Sequence, residues 1–333
     1  MPYLRCLTVS RTAPVALASL AALALIAGCG GSDDGEGTRN RPAPTAADFP
    51  SAQGKTLEQV LSASTGEGPV IAPAARVLRR GKNRFPFGVF TLGREQIDDA
   101  QVAIYAAPGA GLGGSAIGPF PARIVDLTTE PAFRAKTTTD DPDAATVAYV
   151  SEIPLNRPGP WSFAALTKEG DSFKGSLLPT ESAVGQFDPP APGDRAPVVH
   201  TPTADEVSRI SEIDTRVPPS DLHADDLADV LGKKPVVLLF ATPALCQSRV
   251  CGPVVDVAAQ VKRDFGDRVA FIHQEIYENN SINDGPRPQF EAYRLTSEPW
   301  LFVVERNGRI STAIEGPFGV GELEAAVRRV AGS

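Results

Sequence analysis

The stretch Pro235-Val236-Val237-Leu238-Leu239-Phe240-Ala241-Thr242-Pro243-Ala244-Leu245-Cys246-Gln247-Ser248-Arg249-Val250-Cys251-Gly252-Pro253 decides the fold of this chain. Val236 to Phe240 is an unbroken apolar run bounded by polar or turn-forming residues, the pattern of a short strand buried on both faces. After Pro253, the apolar residues Val254, Ala258, Val261 and Phe265 recur at helical spacing up to Gly266. Between strand and helix lie two cysteines separated by four residues. On one regular helix, positions i and i+5 point about 140° apart. A disulfide needs Cα atoms roughly 4.4–6.8 Å apart. At least one cysteine therefore belongs to the loop ahead of the helix. Pro253 marks the first turn, where its missing amide has no helical partner to lose.

Downstream, Val269–Ile276 reads as a second strand and Pro288–Arg294 as a short helix. Trp300–Glu305 and Arg309–Ile314 flank Asn307-Gly308, a strong hairpin signal. Leu323, Ala326, Val327 and Val330 form the apolar stripe of a closing helix. Just upstream, Leu222–Leu231 reads as amphipathic. The order strand, helix, strand, helix, hairpin, helix predicts a right-handed parallel crossover completed by an antiparallel pair.

That order resembles the thioredoxin fold, with two cysteines after the first buried strand and Ser297-Glu298-Pro299 before the hairpin. The resemblance implies a thioredoxin-like domain over residues 201–333, with Cys246 and Cys251 as the catalytic pair. It also implies that Pro299 stands at the cis-proline position facing them. Phe302-Val303-Val304-Glu305-Arg306-Asn307-Gly308 resembles the hairpin of TlpA-like proteins and peroxiredoxins, and Gly193-Asp194-Arg195-Ala196-Pro197 resembles the opening of such domains. Two alignments of the pair give opposite roles. Cys251-Gly252-Pro253 resembles the segment that begins with the attacking cysteine of thioredoxin. The Cys246-x4-Cys251 spacing resembles Q-type peroxiredoxins, in which the first cysteine attacks.

Arg249, His273 and Glu275 are candidates to tune a thiol: Arg249 by its charge within the loop, the other two by sharing one face at the end of the second strand, where open α/β sheets place their sites. His200 and His223 read as polar surface. The expected activity is thiol–disulfide exchange on protein or small-molecule disulfides and thiols, with an unidentified upstream electron donor and with no cofactor and no metal. Two alternatives are a Q-type-peroxiredoxin-like thiol peroxidase and a non-enzymatic copper-binding module resembling the Sco family, in which His273 would join the cysteines.

Residues 70–181 carry short strand patterns separated by turn chemistry: Ala75–Leu78, Phe85–Leu92, Gln101–Ala107, Ala122–Leu127, Thr146–Ile153, Pro160–Lys168 and Phe173–Leu178. They predict an all-β, immunoglobulin-like sandwich ahead of the α/β domain. Residues 182–200 are proline-rich and read as a linker, and residues 29–60 as a flexible tether. First proteolytic cuts are expected within residues 30–55 and 182–200, with the fragment from about residue 197 onward folding alone.

At the N-terminus, Arg5 and Arg11 precede an apolar run from Ala13 to Ala27 that ends Leu25-Ile26-Ala27-Gly28-Cys29. The run is too short and too rich in small residues for a comfortable span and reads as an export signal over residues 1–28. Its end resembles the lipobox of bacterial lipoproteins, which implies lipidation of Cys29 and an extracytoplasmic, membrane-anchored chain. Cys6 would leave with the signal, so Cys246 and Cys251 become the only free thiols. The net charge of −8 argues against a nucleic-acid partner, and the single methionine excludes a methionine-rich copper site.

Overall fold

The computed structural model describes residues 43–178, 182–185 and 189–332, all of them in the compact unit that runs from Thr38 to Ser333. The signal over residues 1–28, Cys29 and the first part of the tether lie outside the described residues.

Among the described residues the first α-helix is α1 (Leu57–Leu61). Strands β1 (Val70–Pro73), β2 (Gly81–Phe90), β3 (Gln101–Pro108), β4 (Ile117–Pro121) and β5 (Arg123–Asp126) follow. Next come α2 (Lys136–Thr139), β6 (Val147–Leu155), β7 (Gly159–Glu169), β8 (Ser172–Leu177) and β9 (Ser182–Val184). The C-terminal half holds α3 (Leu227–Val230), β10 (Val236–Phe240), α4 (Cys251–Phe265), β11 (Ala270–Gln274), α5 (Pro288–Ala292), β12 (Trp300–Val304), β13 (Ile310–Glu315) and α6 (Val320–Ala331).

The β-rich half consists of two sheets, ordered β1-β2-β6-β5 and β4-β3-β7-β8, with β9 added to β7. Alternation builds the core between them. On β3, Val102, Ile104 and Ala106 face inward, as do Val147 and Tyr149 on β6, Trp161 and Phe163 on β7, and Phe85 and Phe87 on β2. Both outer faces are covered too. Ala103, Tyr105, Ala107, Ala164 and Leu166 turn outward and bury Phe49, Ala52, Leu57 and Val60. The Tyr105 hydroxyl donates to the Pro50 carbonyl at 2.7 Å. Residues 49–60, expected as tether, are therefore a packed cover, because four apolar side chains find a sheet face that would otherwise be wet.

The α/β half is a four-stranded sheet in the order β11-β10-β12-β13, with β10 parallel to β11 and antiparallel to β12. Strand β10 is buried throughout. Val237 and Leu239 join a core with Val254, Ala258, Phe318, Leu323 and Val327 of the α4/α6 side. Val236, Leu238 and Phe240 join one with Phe290, Tyr293 and Phe302 on the other face. This is the double burial that the apolar run implies.

The halves share a core. Val125 and Leu127, with Ala148 and Val150 from the outward face of β6, belong to the same cluster as Val254, Leu323 and Val327. Around this contact, Glu322 on α6 accepts from Arg84 at 2.8 and 3.0 Å and from Arg123 at 3.0 Å. The Glu315 carboxylate takes the backbone amides of Arg76 and Val77, each at 2.8 Å. Ala75–Leu78, expected as a strand, is thus an irregular segment whose amides are satisfied by a side chain rather than by a neighbouring strand. Part of the stretch expected as a linker is held down as well. The Gly193 amide donates to Ile310 O at 2.8 Å, the Ile310 amide to Asp194 O at 2.9 Å, and Ala196 is buried.

Candidate functional site: the Cys246–Cys251 loop

Strand β10 delivers the chain to a tight loop at its C-terminal end. The amides of Leu245 and Cys246 both donate to Thr242 O, at 3.2 and 3.1 Å. The Ala244 amide donates to the Thr215 hydroxyl at 3.0 Å. Arg249 takes a left-handed conformation (φ 59°), which turns the chain into α4. Val250 precedes the helix, so Cys251 is its first residue and Cys246 sits in the loop. Both cysteines are free thiols. Cys246 keeps a 6% exposed edge and Cys251 none.

The surroundings drive the two thiols apart. Cys246 is lowered to about 6, chiefly by a hydrogen bond from Cys251, against the cost of burial; Ser248 and the amides of Cys251 and Val250 also help. The Ser248 hydroxyl lies 3.3 Å from the Cys246 sulfur. Cys251 is raised well above an ordinary thiol, because burial and the neighbouring Cys246 both oppose its ionisation. The helix N-terminus alone would favour a thiolate at Cys251. Complete desolvation outweighs it.

Two groups that the sequence did not single out are coupled electrostatically to the pair. Glu298 is pushed up to about 7 by burial and by the charge of Cys246, with Arg76 opposing. Tyr277 is raised by burial and by Glu298, Cys251 and Cys246 in turn. The Glu298–Pro299 peptide is cis. No spacing motif marks Glu298 or Tyr277, although Glu298 adjoins Pro299 in the sequence.

The three candidate tuning residues are placed differently. Arg249 gives its guanidinium to Asp141 at 2.8 Å, and its carbonyl accepts the Ala145 amide at 3.1 Å, so the β-rich half walls this loop. A Cβ on Gly252 would stand 2.9 Å from the Thr138 hydroxyl, which shows how closely α2 approaches. His273 and Glu275 are both buried, His273 beside Leu239 on the neighbouring strand. Glu275 accepts from the Thr215 amide and hydroxyl, both at 2.7 Å, and burial raises its carboxyl. His273 Nε2 lies 3.0 Å from Ala241 O, and its Nδ1 faces Asp214 at 3.7 Å. His223, read from sequence as surface, is 2% exposed, with Nε2 3.1 Å from Asp214 Oδ2. Asp214 draws it inward. Burial lowers His223; it would lower His273 too, but the Asp214 carboxylate more than reverses that. Burial likewise pushes Asp214 up, yet His273 and His223 together hold it well below the usual carboxylate range. Among the described residues the cysteines fall in no set of three His, Cys, Asp or Glu donors spaced for one ion. The copper reading that joined His273 to the cysteines therefore has no donor set behind it. His200 does lie at the surface, its Nδ1 2.9 Å from Asp226.

No protein-family model matches the chain, and no curated protein matches it. Among solved structures, a thiol:disulfide interchange protein of the thioredoxin family from Chlorobium tepidum TLS is similar to it at 19% identity, over 42% of this chain and 98% of that one, with a TM-score of 0.29.

Proposed function

We propose that this chain is an extracytoplasmic, membrane-anchored thiol–disulfide oxidoreductase whose attacking group is Cys246. The observation that carries this reading is the opposed acidity of two free thiols in one loop, with Cys246 lowered to about 6 and Cys251 raised. Such a pair has its nucleophile and its resolving thiol already assigned at neutral pH.

The Cys246 thiolate attacks one sulfur of a substrate disulfide, and the other substrate sulfur leaves as a thiolate. A mixed disulfide now joins Cys246 to the substrate. Cys251 then gives up its proton, which neutralises the substrate thiolate released in the first step, and its sulfur attacks the Cys246 sulfur. The bond from Cys246 to substrate breaks, the second substrate thiol leaves, and the Cys246–Cys251 disulfide forms. Two electrons have passed from the protein to the substrate, and an external dithiol restores the reduced pair. Glu298, pushed up to about 7 by burial and by the Cys246 charge, is coupled to the state of the pair. The β-rich half, which we infer to be an immunoglobulin-like sandwich on the strength of its two sheet orders, frames the loop through Thr138, Asp141 and Ala145.

Cys246→Ser and Cys251→Ser should each abolish reduction of insulin by a small dithiol. Only Cys251→Ser should trap a mixed disulfide with substrate. Wild-type activity in both variants overturns the oxidoreductase reading, and trapping in Cys246→Ser instead reverses the two roles. The pair's reduction potential should lie above about −300 mV, the range of labile rather than structural disulfides.

The anchor rests on Leu25-Ile26-Ala27-Gly28-Cys29. No helix among the described residues is long and apolar enough to cross a membrane. Cys29→Ala should leave the precursor uncleaved and move it out of the detergent phase on partitioning; unchanged partitioning removes the lipid anchor from the proposal.

A further inference from the structure

We propose that Asp214, His223 and His273 form a binding site for a first-row divalent cation of the zinc type, separate from the cysteine pair. One donor atom from each of the three residues lies within 4.8 Å of the others, and all three residues are buried.

The argument begins at His273. Its Nε2 contacts a carbonyl, Ala241 O at 3.0 Å, which can only accept, so this nitrogen carries the proton. Nδ1 then presents a lone pair, and it has no hydrogen-bond partner although the side chain is fully buried. What it faces is Asp214 Oδ1, 3.7 Å away. The gap between them is too long for a hydrogen bond. Against the cost of burial, the carboxylate also favours a second proton on this ring, so a cation held between the two atoms would bind in competition with that proton. With metal–ligand bonds of about 2.0–2.2 Å, neighbouring ligand atoms around a tetrahedral ion sit about 3.3–3.6 Å apart. The 3.7 Å separation, and the 3.1 Å between His223 Nε2 and Asp214 Oδ2, bracket that range.

The surroundings hold the donors in place. A metal-bound histidine characteristically donates its other ring N–H to a carbonyl or carboxylate, and His273 does this to Ala241 O. The Asp214 carboxylate is oriented by the Ser220 amide and hydroxyl, at 2.7 and 2.8 Å, and by the Arg216 amide at 2.9 Å. The His223 ring stands 5.2 Å from the His273 ring, centroid to centroid. Two imidazoles and one carboxylate suit zinc and its first-row neighbours; magnesium and calcium prefer all-oxygen sets. Three protein donors leave the fourth position of a tetrahedral ion to be filled from outside the set. It would brace the 214–223 strap against β11 directly behind the cysteine loop, since Thr215, next to Asp214, accepts the Ala244 amide.

The test uses the full chain with Cys246→Ser and Cys251→Ser combined, so that thiolates cannot bind the probe and the outcome is independent of the redox reading. After chelator stripping and dialysis against Zn²⁺, metal analysis should find one equivalent per chain, and the thermal midpoint should rise saturably with Zn²⁺. Co²⁺ should give visible d–d bands. Adding Asp214→Asn, a near-isostere, or His223→Gln should remove both the equivalent and the Zn²⁺-dependent rise, while circular dichroism of the metal-free variants stays that of the parent. If either variant fails to fold, the parent's metal content and Zn²⁺-dependent midpoint decide alone. Absence of stoichiometric uptake by the parent, or an equal rise in a folded Asp214→Asn variant, overturns the site and leaves a proton-linked Asp–His cluster in its place.

Discussion

Cys246 and Cys251 carry the same functional group, and only their environments separate them. The lowered Cys246 predicts a reactivity profile whose sign follows directly. The thiolate is the nucleophile, so alkylation by iodoacetamide should rise with pH through a midpoint near 6 and be near its plateau at pH 7. Because the largest contribution is the hydrogen bond from Cys251, Cys251→Ala should move that midpoint upward, toward an ordinary thiol. A midpoint that stays put would show that Ser248 and the backbone amides suffice. The pair itself was legible in the sequence from its place after a buried strand. Its polarity was not, because Cys251 combines a helix N-terminus with complete burial and the sequence displays only the first. His223 shows the same limit: nothing nearby in the chain announces that Asp214 will meet it in the interior.

At the scale of elements, β10, α4, the β12–β13 hairpin and α6 were legible because each carries a strong local period or turn signal. Leu239 on β10 packs against the α4/α6 core, so Leu239→Ala should cost about 2–5 kcal/mol. It should appear as a lower urea midpoint at unchanged slope; a midpoint like that of the wild type would mean that this face of β10 is not buried as described. Where elements escaped the sequence reading, long-range bonds explain it. The amphipathic pattern over Leu222–Leu231 becomes helix only at Leu227–Val230. Leu222 O accepts the His273 amide and His223 O the Ala204 amide, which holds the first residues extended. Strand β4 escaped notice because Gly118-Pro119 interrupts its pattern, an interruption tolerated on a sheet edge.

Over the whole molecule, the β-rich and α/β halves are joined through Val125, Leu127, Ala148 and Val150, with Glu322 clamping Arg84 and Arg123. A fragment of residues 197–333 would expose that apolar face to water, contrary to the independence its composition suggests. It should unfold at a lower urea concentration than the full chain and self-associate on size exclusion. A monomeric fragment with the full chain's midpoint would show that the shared core adds no stability. In limited proteolysis, residues 193–196 should resist cleavage, because their backbone pairs with residues 308–310.

The sequence by itself determined the elements around the cysteines and their order, because strand, helix and turn are written in residues close along the chain. It also held, unread, a hint of the shared core: Val147-Ala148-Tyr149-Val150 is apolar on both faces, yet alternation through Val147 and Tyr149 accounts for only one of them. Tertiary structure alone decided what covers the second face, which thiol is the acid, and that Asp214, His223 and His273 converge. Each of these depends on burial and on charges brought together from distant positions, and desolvation has no signature in the local order of residues.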